Sequence, residues 1–207
     1  MVPLTLHFFS FDYDISFIFW IFLISSIILS SLMSFFKSNN KISKIPMVLG
    51  HVGLATLIFG ILIVNKYDIE KDIALRVGES VKLDAFQVKF SDVKKIKGSN
   101  YVGHKGIFTI KKENVFIENI YPEKRLFIVQ EIGMSETAIF TNFFYDIYIA
   151  ITTPLNDSKT WAVRIYYKPC VRFIWLGGII ICISGLFTLF LFYERKLKQK
   201  SRISKLH

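Results

Sequence analysis

The amino-acid sequence predicts three transmembrane helices with a small extracytoplasmic β-barrel or β-sandwich domain between helices two and three. Of the 207 residues, 52% are hydrophobic and 20% are charged, and the mean hydropathy is +0.43. These values coexist when apolar and charged residues occupy separate stretches of the chain. Three long runs are almost free of charge, whereas the segment between the second and third alternates apolar and polar residues with the period of a β-strand.

Composition excludes several classes of protein. The 21 Phe and 9 Tyr supply more apolar surface than an intrinsically disordered chain has. With 11 Gly and 2 Cys, collagen-like and disulfide-scaffold classes are also excluded. The net charge of +10 leaves three explanations open, which are a nucleic-acid partner, anionic lipid and the topology of a membrane protein.

Residues 15–36, 46–64 and 172–193 are the predicted transmembrane helices. Each is an almost uncharged run close to the length of about 20 residues that a helix needs to cross the hydrocarbon layer. The second run is the shortest and contains a histidine. A cleaved signal peptide is not expected, because Asp12 and Asp14 precede a first run of full spanning length.

The positive charge predicts the orientation of these helices. Residues 1–14 carry a net charge of −2, the loop 37–45 carries +3 and the tail 194–207 carries +5. Because basic residues in short loops and tails stay on the cytoplasmic side, the loop and the basic tail are predicted there. The N-terminal segment and residues 65–171 are then external. The charge therefore reports membrane topology, and no nucleic-acid partner is expected.

Period-two alternation predicts strands within residues 65–171. Apolar residues alternate with polar ones over 86–91, and the same pattern returns over 161–168. Turn residues separate such runs, as at 98–100, 113–114 and 154–157. We expect seven to nine short strands.

His51 is the residue in the apolar runs with the most informative chemistry. An imidazole in a spanning helix is costly unless it has a partner. Nearby small residues, Gly50, Gly53 and Ala55, allow close approach of either a flat group or another helix. Three interpretations stay open: helix packing with an interhelical hydrogen bond, a haem or metal ligand, and a proton relay. A bis-imidazole haem site would need a second histidine from another chain.

The remaining residues do not form a self-contained catalytic apparatus. His104 lies in the turn-rich stretch 101–106 and is interpreted as a solvated loop residue, while His7 and His207 lie near the two termini. The sequence contains no CxxC, CxxCH, GxGxxG or phosphate-binding-loop motif. No residue is predicted to be catalytic.

Several short motifs occur in the order found in one known family. They are Gly50-His51-Val52-Gly53-Leu54-Ala55, Gly78-Glu79-Ser80, Phe90-Ser91-Asp92-Val93, Asn100-Tyr101 with Gly103, Glu123-Lys124-Arg125, Met134 to Ile139, Asp146-Ile147-Tyr148, Trp161 to Pro169, and Trp175-Leu176-Gly177-Gly178. In these motifs the chain resembles the cytochrome c maturation protein F family, the large membrane subunit of the system I cytochrome c haem lyase. The resemblance covers about residues 46–193 and only the family's C-terminal part.

The resemblance implies a function in cytochrome c-type biogenesis. The chain would help to deliver, reduce and attach haem to apocytochrome c, with His51 as axial ligand of a haem b and Gly53 leaving room for the macrocycle. The haem would be shared with an N-terminal partner chain that carries a tryptophan-rich segment and the second histidine ligand. On its own the chain would be a non-catalytic subunit.

Further partners and the location also follow from the resemblance. Other cytochrome c maturation subunits and apocytochrome c would dock on the outer domain, in a bacterial inner membrane or a mitochondrial inner membrane. Lys124, Arg125 and Arg164 would meet haem propionates or acidic partners, or else form structural ion pairs. The alternative function is a non-haem, membrane-anchored β-domain that serves as an assembly or interaction module.

Overall fold

The computed structural model describes residues 13–155 and 159–203, with side chains over 15–155 and 159–199. The chain divides into two compact units. One comprises the residues up to Asn65 together with those from Val171 onward, and the other comprises Lys66–Cys170. The predictions that concern His7, His207 and part of the turn at 154–157 lie outside the described residues.

The helical unit contains three long helices, and the prediction of three spanning helices is confirmed. They are α1 (Tyr13–Lys37), α2 (Ile45–Tyr67) and α3 (Val171–Ile203), with a 3-10 turn at Ile42–Lys44 before α2. All three are long and apolar enough to cross a membrane. The α3 backbone stays helical beyond the apolar run, where Lys198 Nζ lies 2.5 Å from Glu194 Oε1 one turn earlier. Such i,i+4 pairs stabilise a helix outside the hydrocarbon layer.

Small residues bring α2 and α3 into close contact. A Cβ atom on Gly53 would lie 2.9 Å from the Gly177 carbonyl oxygen, and one on Gly177 would lie 2.5 Å from the Leu57 amide nitrogen. Neither position has room for a larger side chain. Further along, the Ser184 hydroxyl donates a hydrogen bond of 2.6 Å to the Pro46 carbonyl. The two helices therefore meet backbone to backbone, as spanning helices commonly do.

The second unit is a β-sandwich, as predicted. Its strands are β1 (Ile69–Arg76), β2 (Ser80–Leu83), β3 (Phe86–Lys97), β4 (Tyr101–Lys112), β5 (Val115–Ile120), β6 (Glu123–Phe127), β7 (Ile132–Glu136), β8 (Ala138–Thr141), β9 (Tyr145–Pro154) and β10 (Thr160–Pro169). One sheet has the order β1-β10-β9-β8 and the other β2-β3-β4-β6-β7, with β5 also paired to β4. The described residues thus form ten strands, more than the seven to nine expected.

The extra strands arise because β4 is long. Its residues 101–105 pair with β6, and its residues 108–112 pair with β5. One edge of β4 is therefore shared by two short strands. All pairings are antiparallel.

Large apolar side chains fill the space between the sheets. The rings of Phe90 and Phe108 stack at 4.5 Å, and Phe86 of one sheet lies 4.8 Å from Tyr145 of the other. The predicted alternation over 86–91 is confirmed, because the apolar positions are buried and the positions between them are not. The buried core comprises Leu75, Leu83, Phe86, Val88, Phe90, Phe108, Ile110, Ile120, Ile147, Ile149, Ile151, Trp161, Val163 and Ile165.

Turn chemistry explains the two-residue connection between β4 and β5. Glu113 and Asn114 join β4 to β5 with φ angles of 49° and 68°. Two consecutive left-handed residues are typical of the hairpin turn that matches the twist of its strands. The turns predicted at 98–100 and 113–114 are both confirmed.

Candidate functional site

His51 lies in the second turn of α2 and contacts α1. Its Nδ1 atom is 2.6 Å from the hydroxyl oxygen of Ser31, which is only 2% exposed. Ser25, Ser26 and Ser30 instead donate to carbonyl groups of their own helix. Ser31 is the α1 serine that reaches a neighbouring helix. Sequence reasoning did not find it, because nothing distinguishes it from the other serines of α1.

The contact with Ser31 fixes the orientation of the imidazole ring. When Nδ1–H donates to the hydroxyl oxygen, Nε2 keeps its lone pair for a metal ion. Nε2 has no hydrogen-bond partner among the described residues, and the His51 side chain is exposed within the helical unit. Ligating histidines commonly use their second nitrogen in this way, with a fixed partner that holds the ring. The geometry therefore suits an axial ligand.

His51 lies on the wall of a cavity of about 490 Å³ in the helical unit. Met47 and Gly50 of α2 line it beside the histidine, while Thr188 and Arg195 line it from α3. The cavity thus offers one imidazole, apolar walls and one guanidinium. An apolar macrocycle with acidic substituents, such as haem, fits this set. No group of three or more His, Cys, Asp or Glu side chains among the described residues is placed to hold a metal ion.

Gly53 faces α3 and is absent from the residues that line this cavity. It lies two positions after His51, which is about 200° around the helix. In the structure the missing side chain makes room for the α3 backbone. Its predicted place beside a macrocycle stays a prediction.

His104 is a strand residue, and its interpretation as a solvated loop residue is wrong. It lies in β4, half-buried, with its ring 4.9 Å from the ring of Trp161. Burial and the nearby charge of Lys95 lower the pKa of His104. The glycines around it indicated a turn, but Gly103 lies instead where β4 meets the Lys124 carbonyl of β6 at very close range.

Two of the three basic residues flagged by the sequence form ion pairs. Arg164 binds Asp72 through two hydrogen bonds of 2.7 and 2.8 Å. Arg125 Nη2 lies 2.8 Å from Glu123. The ion-pair interpretation therefore describes these two arginines.

Lys124 behaves differently from the arginines. Its Nζ contacts the Ser135 hydroxyl at 3.2 Å and the Gly133 carbonyl at 3.5 Å. No carboxylate of the described residues pairs with it. Its charge is therefore positioned by neutral groups and left without a counterion.

Carboxylate pKa values reflect the ion pairs. Burial raises the pKa of Glu123, but hydrogen bonds from Lys105 and Arg125 outweigh it, and the net pKa lies below the ordinary value. The hydrogen bond from Arg164 likewise lowers the pKa of Asp72. Both carboxylates are thus ionised at neutral pH.

Comparison with known proteins identifies the family. The family described as the CcmF C-terminal beta-sandwich matches residues 66–169, which is half of the chain. The chain belongs to the CcmF family. The cytochrome c-type biogenesis protein CcmF of Haemophilus influenzae is 35% identical over 159 residues, covering 76% of this chain and 24% of that protein. CcmF of Escherichia coli (strain K12) is 36% identical over 144 residues, covering 70% of this chain and 22% of that protein.

A solved structure shares the fold. A chain named Cytochrome c Heme Lyase CcmF aligns with a TM-score of 0.57 and 14% identity, covering 70% of this chain and 24% of that one. This likeness supports the fold. The present chain spans about a quarter of the length of these relatives. The predicted resemblance is confirmed, and the three apolar helices make this CcmF-family chain an integral membrane protein.

Proposed function

We propose that this chain is the C-terminal subunit or fragment of a cytochrome c haem lyase. The observation that supports this most directly is the Ser31–His51 contact, which holds Nδ1 and leaves Nε2 for a ligand. Relatives with about 35% identity are named for cytochrome c-type biogenesis, and the structural neighbour is named a haem lyase. The chain spans about a quarter of those relatives, and its proposed partner is the N-terminal part of the haem lyase.

His51 is the proposed axial ligand of a haem b shared with that partner chain. When bound, this haem would donate one electron to the iron of the haem that is to be attached, and would itself be oxidised. Ser31 holds the imidazole plane, and the close approach of Gly53 and Gly177 fixes α2 against α3. Arg195, on the same cavity wall, supplies a positive charge for an acidic substituent. The second histidine would come from the partner.

The β-sandwich is the proposed docking surface for apocytochrome c and other maturation subunits. Side chains around the β6–β7 turn are apolar and exposed, with Val129 at 84% and Ile128 at 54%. Neighbouring Ile132 and Met134 extend the same surface. A contiguous exposed apolar surface of this kind is typical of an interaction site.

The proposed orientation places residues 65–171 on the periplasmic or intermembrane-space side of the membrane. Cysteine labelling tests it in a Cys170→Ser, Cys182→Ser background. A membrane-impermeant maleimide added to intact cells should label Asn114→Cys in the β4–β5 turn and leave Asn40→Cys in the loop before α2 unlabelled. The reverse pattern would overturn the orientation.

The haem proposal is tested by co-expression with the N-terminal part. Wild-type complex should show the reduced absorption spectrum of a bis-histidine haem, and His51→Gly should lose it. Added imidazole should restore the spectrum in the glycine variant, since the small base can occupy the space left by the side chain. His104→Ala, in the other unit, serves as the matched control and should keep the spectrum.

One observation favours a second function. The Ser31 hydroxyl already satisfies one imidazole nitrogen, as it would in a helix contact without haem. The chain would then be a membrane-anchored assembly module that docks partners through its sandwich. A complex of His51→Gly that still binds its partners with the wild-type spectrum would establish this alternative and exclude His51 as the ligand.

A further inference from the structure

A second cavity, of about 640 Å³, lies within the β-sandwich unit. It is formed by the end of β3, the start of β4, and the hairpin of β6 and β7. We call it the lysine cavity. The residues that define it are Lys95, Lys97, Val102, His104, Lys124 and Leu126.

Strand register places the polar groups of this cavity in one row. Lys95 pairs with His104 on β4, and His104 pairs with Lys124 on β6. Directly paired residues of an antiparallel sheet lie on the same face. The two ammonium-bearing side chains therefore start roughly 10 Å apart, two strand spacings, on either side of the histidine.

These lysines lack counterions. None of the described Asp or Glu residues lines the cavity. The side chains of Lys95 and Lys97 make no ion pair or hydrogen bond with any described residue, and Lys124 is held by Ser135 and Gly133 alone. Burial and Lys95 lower the pKa of His104, so the imidazole adds no charge at neutral pH. Lys95 and Lys124 both lie opposite the uncharged His104, and a bound anion would give these unpaired ammonium groups a counterion.

The opposite face of the same strands is neutralised. There Glu123 accepts contacts from Lys105 at 2.9 Å and from Arg125 at 2.8 Å. The strands therefore place a carboxylate beside Lys105 and Arg125 and none beside Lys95, Lys97 and Lys124. This difference indicates that a ligand supplies the negative charge at the lysine cavity.

Apart from Arg125, which also lines the cavity and is paired with Glu123, the rest of the wall is apolar. Val102 is 38% exposed and Leu126 is 47% exposed, and Trp161 packs behind His104. A concave, mainly apolar wall with a few fixed charges, in a volume of several hundred Å³, is typical of a small-molecule site rather than of a flat protein interface.

We propose that the lysine cavity binds the carboxylate groups of an amphipathic small molecule whose apolar body lies against Val102 and Leu126. Two sources have this chemistry, a porphyrin dicarboxylate and a long-chain fatty acid. Only the porphyrin source rests on the proposed function. Binding at this cavity is independent of His51, which belongs to the other unit.

The test uses Trp161 as a local reporter in the full chain, held in nanodiscs of zwitterionic lipid. Trp20 and Trp175 are replaced by Phe, so that the remaining indole lies beside His104. Metal-free protoporphyrin IX, its dimethyl ester and dodecanoate are the probes. The porphyrin should quench Trp161 saturably, whereas the ester, which lacks the carboxylates, should not.

Charge variants connect the binding to the lysines. Lys95→Gln, Lys97→Gln and Lys124→Gln together should raise the half-saturation concentration on the order of tenfold, because exposed charge pairs each contribute a fraction of a kcal/mol. The matched control removes three exposed lysines elsewhere in the sandwich, by Lys89→Gln, Lys94→Gln and Lys159→Gln. Lys124→Gln alone provides a milder variant, and an unchanged Trp161 emission maximum shows that each variant is folded.

The outcomes separate the sources and the two proposals. Quenching by the porphyrin supports a dicarboxylate ligand, and displacement of that porphyrin by dodecanoate supports a fatty acid. Equal affinity in the cavity and control variants, or equal quenching by the ester, would overturn the proposal. His51→Gly should leave porphyrin quenching unchanged, so loss of the haem spectrum in that variant and loss of binding here are distinguishable.

Discussion

The helical unit and the β-sandwich each have a histidine on a cavity wall, His51 in one and His104 in the other, but they are packed in opposite ways. Helices α2 and α3 meet at Gly53 and Gly177, where no side chain intervenes. The sandwich is held apart and filled by large rings such as Phe108. In lipid the apolar surroundings offer no hydrophobic gain, so close backbone contact stabilises the pair. In water the burial of large apolar groups does so.

The polar interactions of the two units also differ in kind. In the helices they form short neutral hydrogen bonds, between Ser31 and His51 and between Ser184 and Pro46. In the sandwich they form ion pairs such as Arg164–Asp72. Removing a large side chain should therefore destabilise the sandwich, whereas adding one should destabilise the contact between α2 and α3. A change in pH should alter the stability mainly of the sandwich.

The largest effect is expected from Phe108→Ala in the sandwich. Phe108 is fully buried and stacked on Phe90, so the free energy of unfolding should fall by about 3–5 kcal/mol. Urea titration followed by Trp161 fluorescence measures it. Phe116→Ala, at a position that is 56% exposed, is the control. Equal losses in the two variants would contradict the assignment of the core.

The corresponding test of the helices replaces a small residue by a larger one. Gly177→Val would force a side chain against Leu57, and we expect a loss of about 1–3 kcal/mol. Titration with sodium dodecyl sulfate, followed by circular dichroism of the helices, measures it. The neighbouring Gly178 has open space within 4 Å. If Gly178→Val is as damaging as Gly177→Val, the α2–α3 contact is not what stabilises the unit.

Acid should weaken the sandwich through Glu123. Because the pKa of Glu123 is lower in the folded chain, its contribution is complete above its ordinary value of 4.5 and is lost as the pH falls through the folded-state pKa. The urea midpoint should drop over that window, and Glu123→Gln should flatten the drop. Glu118→Gln, which changes an exposed carboxylate, should keep the wild-type pH dependence.

The smallest effect concerns the hydrogen bond on His51. Ser31→Ala should cost about 0.5–1.5 kcal/mol in the same detergent titration, the range of a single neutral hydrogen bond. Ser30→Ala removes a hydroxyl that contacts only its own helix and should cost less. In a haem-loaded complex, Ser31→Ala should also shift the midpoint potential, because the bond tunes the imidazole. An unchanged potential would remove Ser31 from the proposed site.

Local patterns in the sequence predicted the helices and strands. The features that were not predicted depend on pairings between residues that are distant in the sequence. The uncharged runs and the alternation over 86–91 identified the helices and a central strand of the sandwich. The division of one β4 edge between β5 and β6 depends on which strands pair with β4, and periodicity does not report pairing. His104 was misplaced for the same reason, because Gly103 serves a contact between strands and not a turn.

The site was predicted in part. His51 stood out because an imidazole is rare in an apolar run. Its partner Ser31 lies 20 residues earlier among six serines of one helix, and only the pairing of α1 with α2 separates it from the others. The lysine cavity was hidden as well, since its lysines come from two strands that are not adjacent in the sheet and the sequence carries lysines throughout.

The position of Ser31 has a practical consequence for anyone dividing this protein into pieces. A fragment that starts at Pro46 keeps every motif by which the family is recognised, including the whole helix around His51. It discards the hydroxyl that orients the ring, because that hydroxyl comes from α1. Reconstitution with a partner chain should therefore begin upstream of α1. A shorter piece would contain the same histidine without the hydrogen bond that orients its ring.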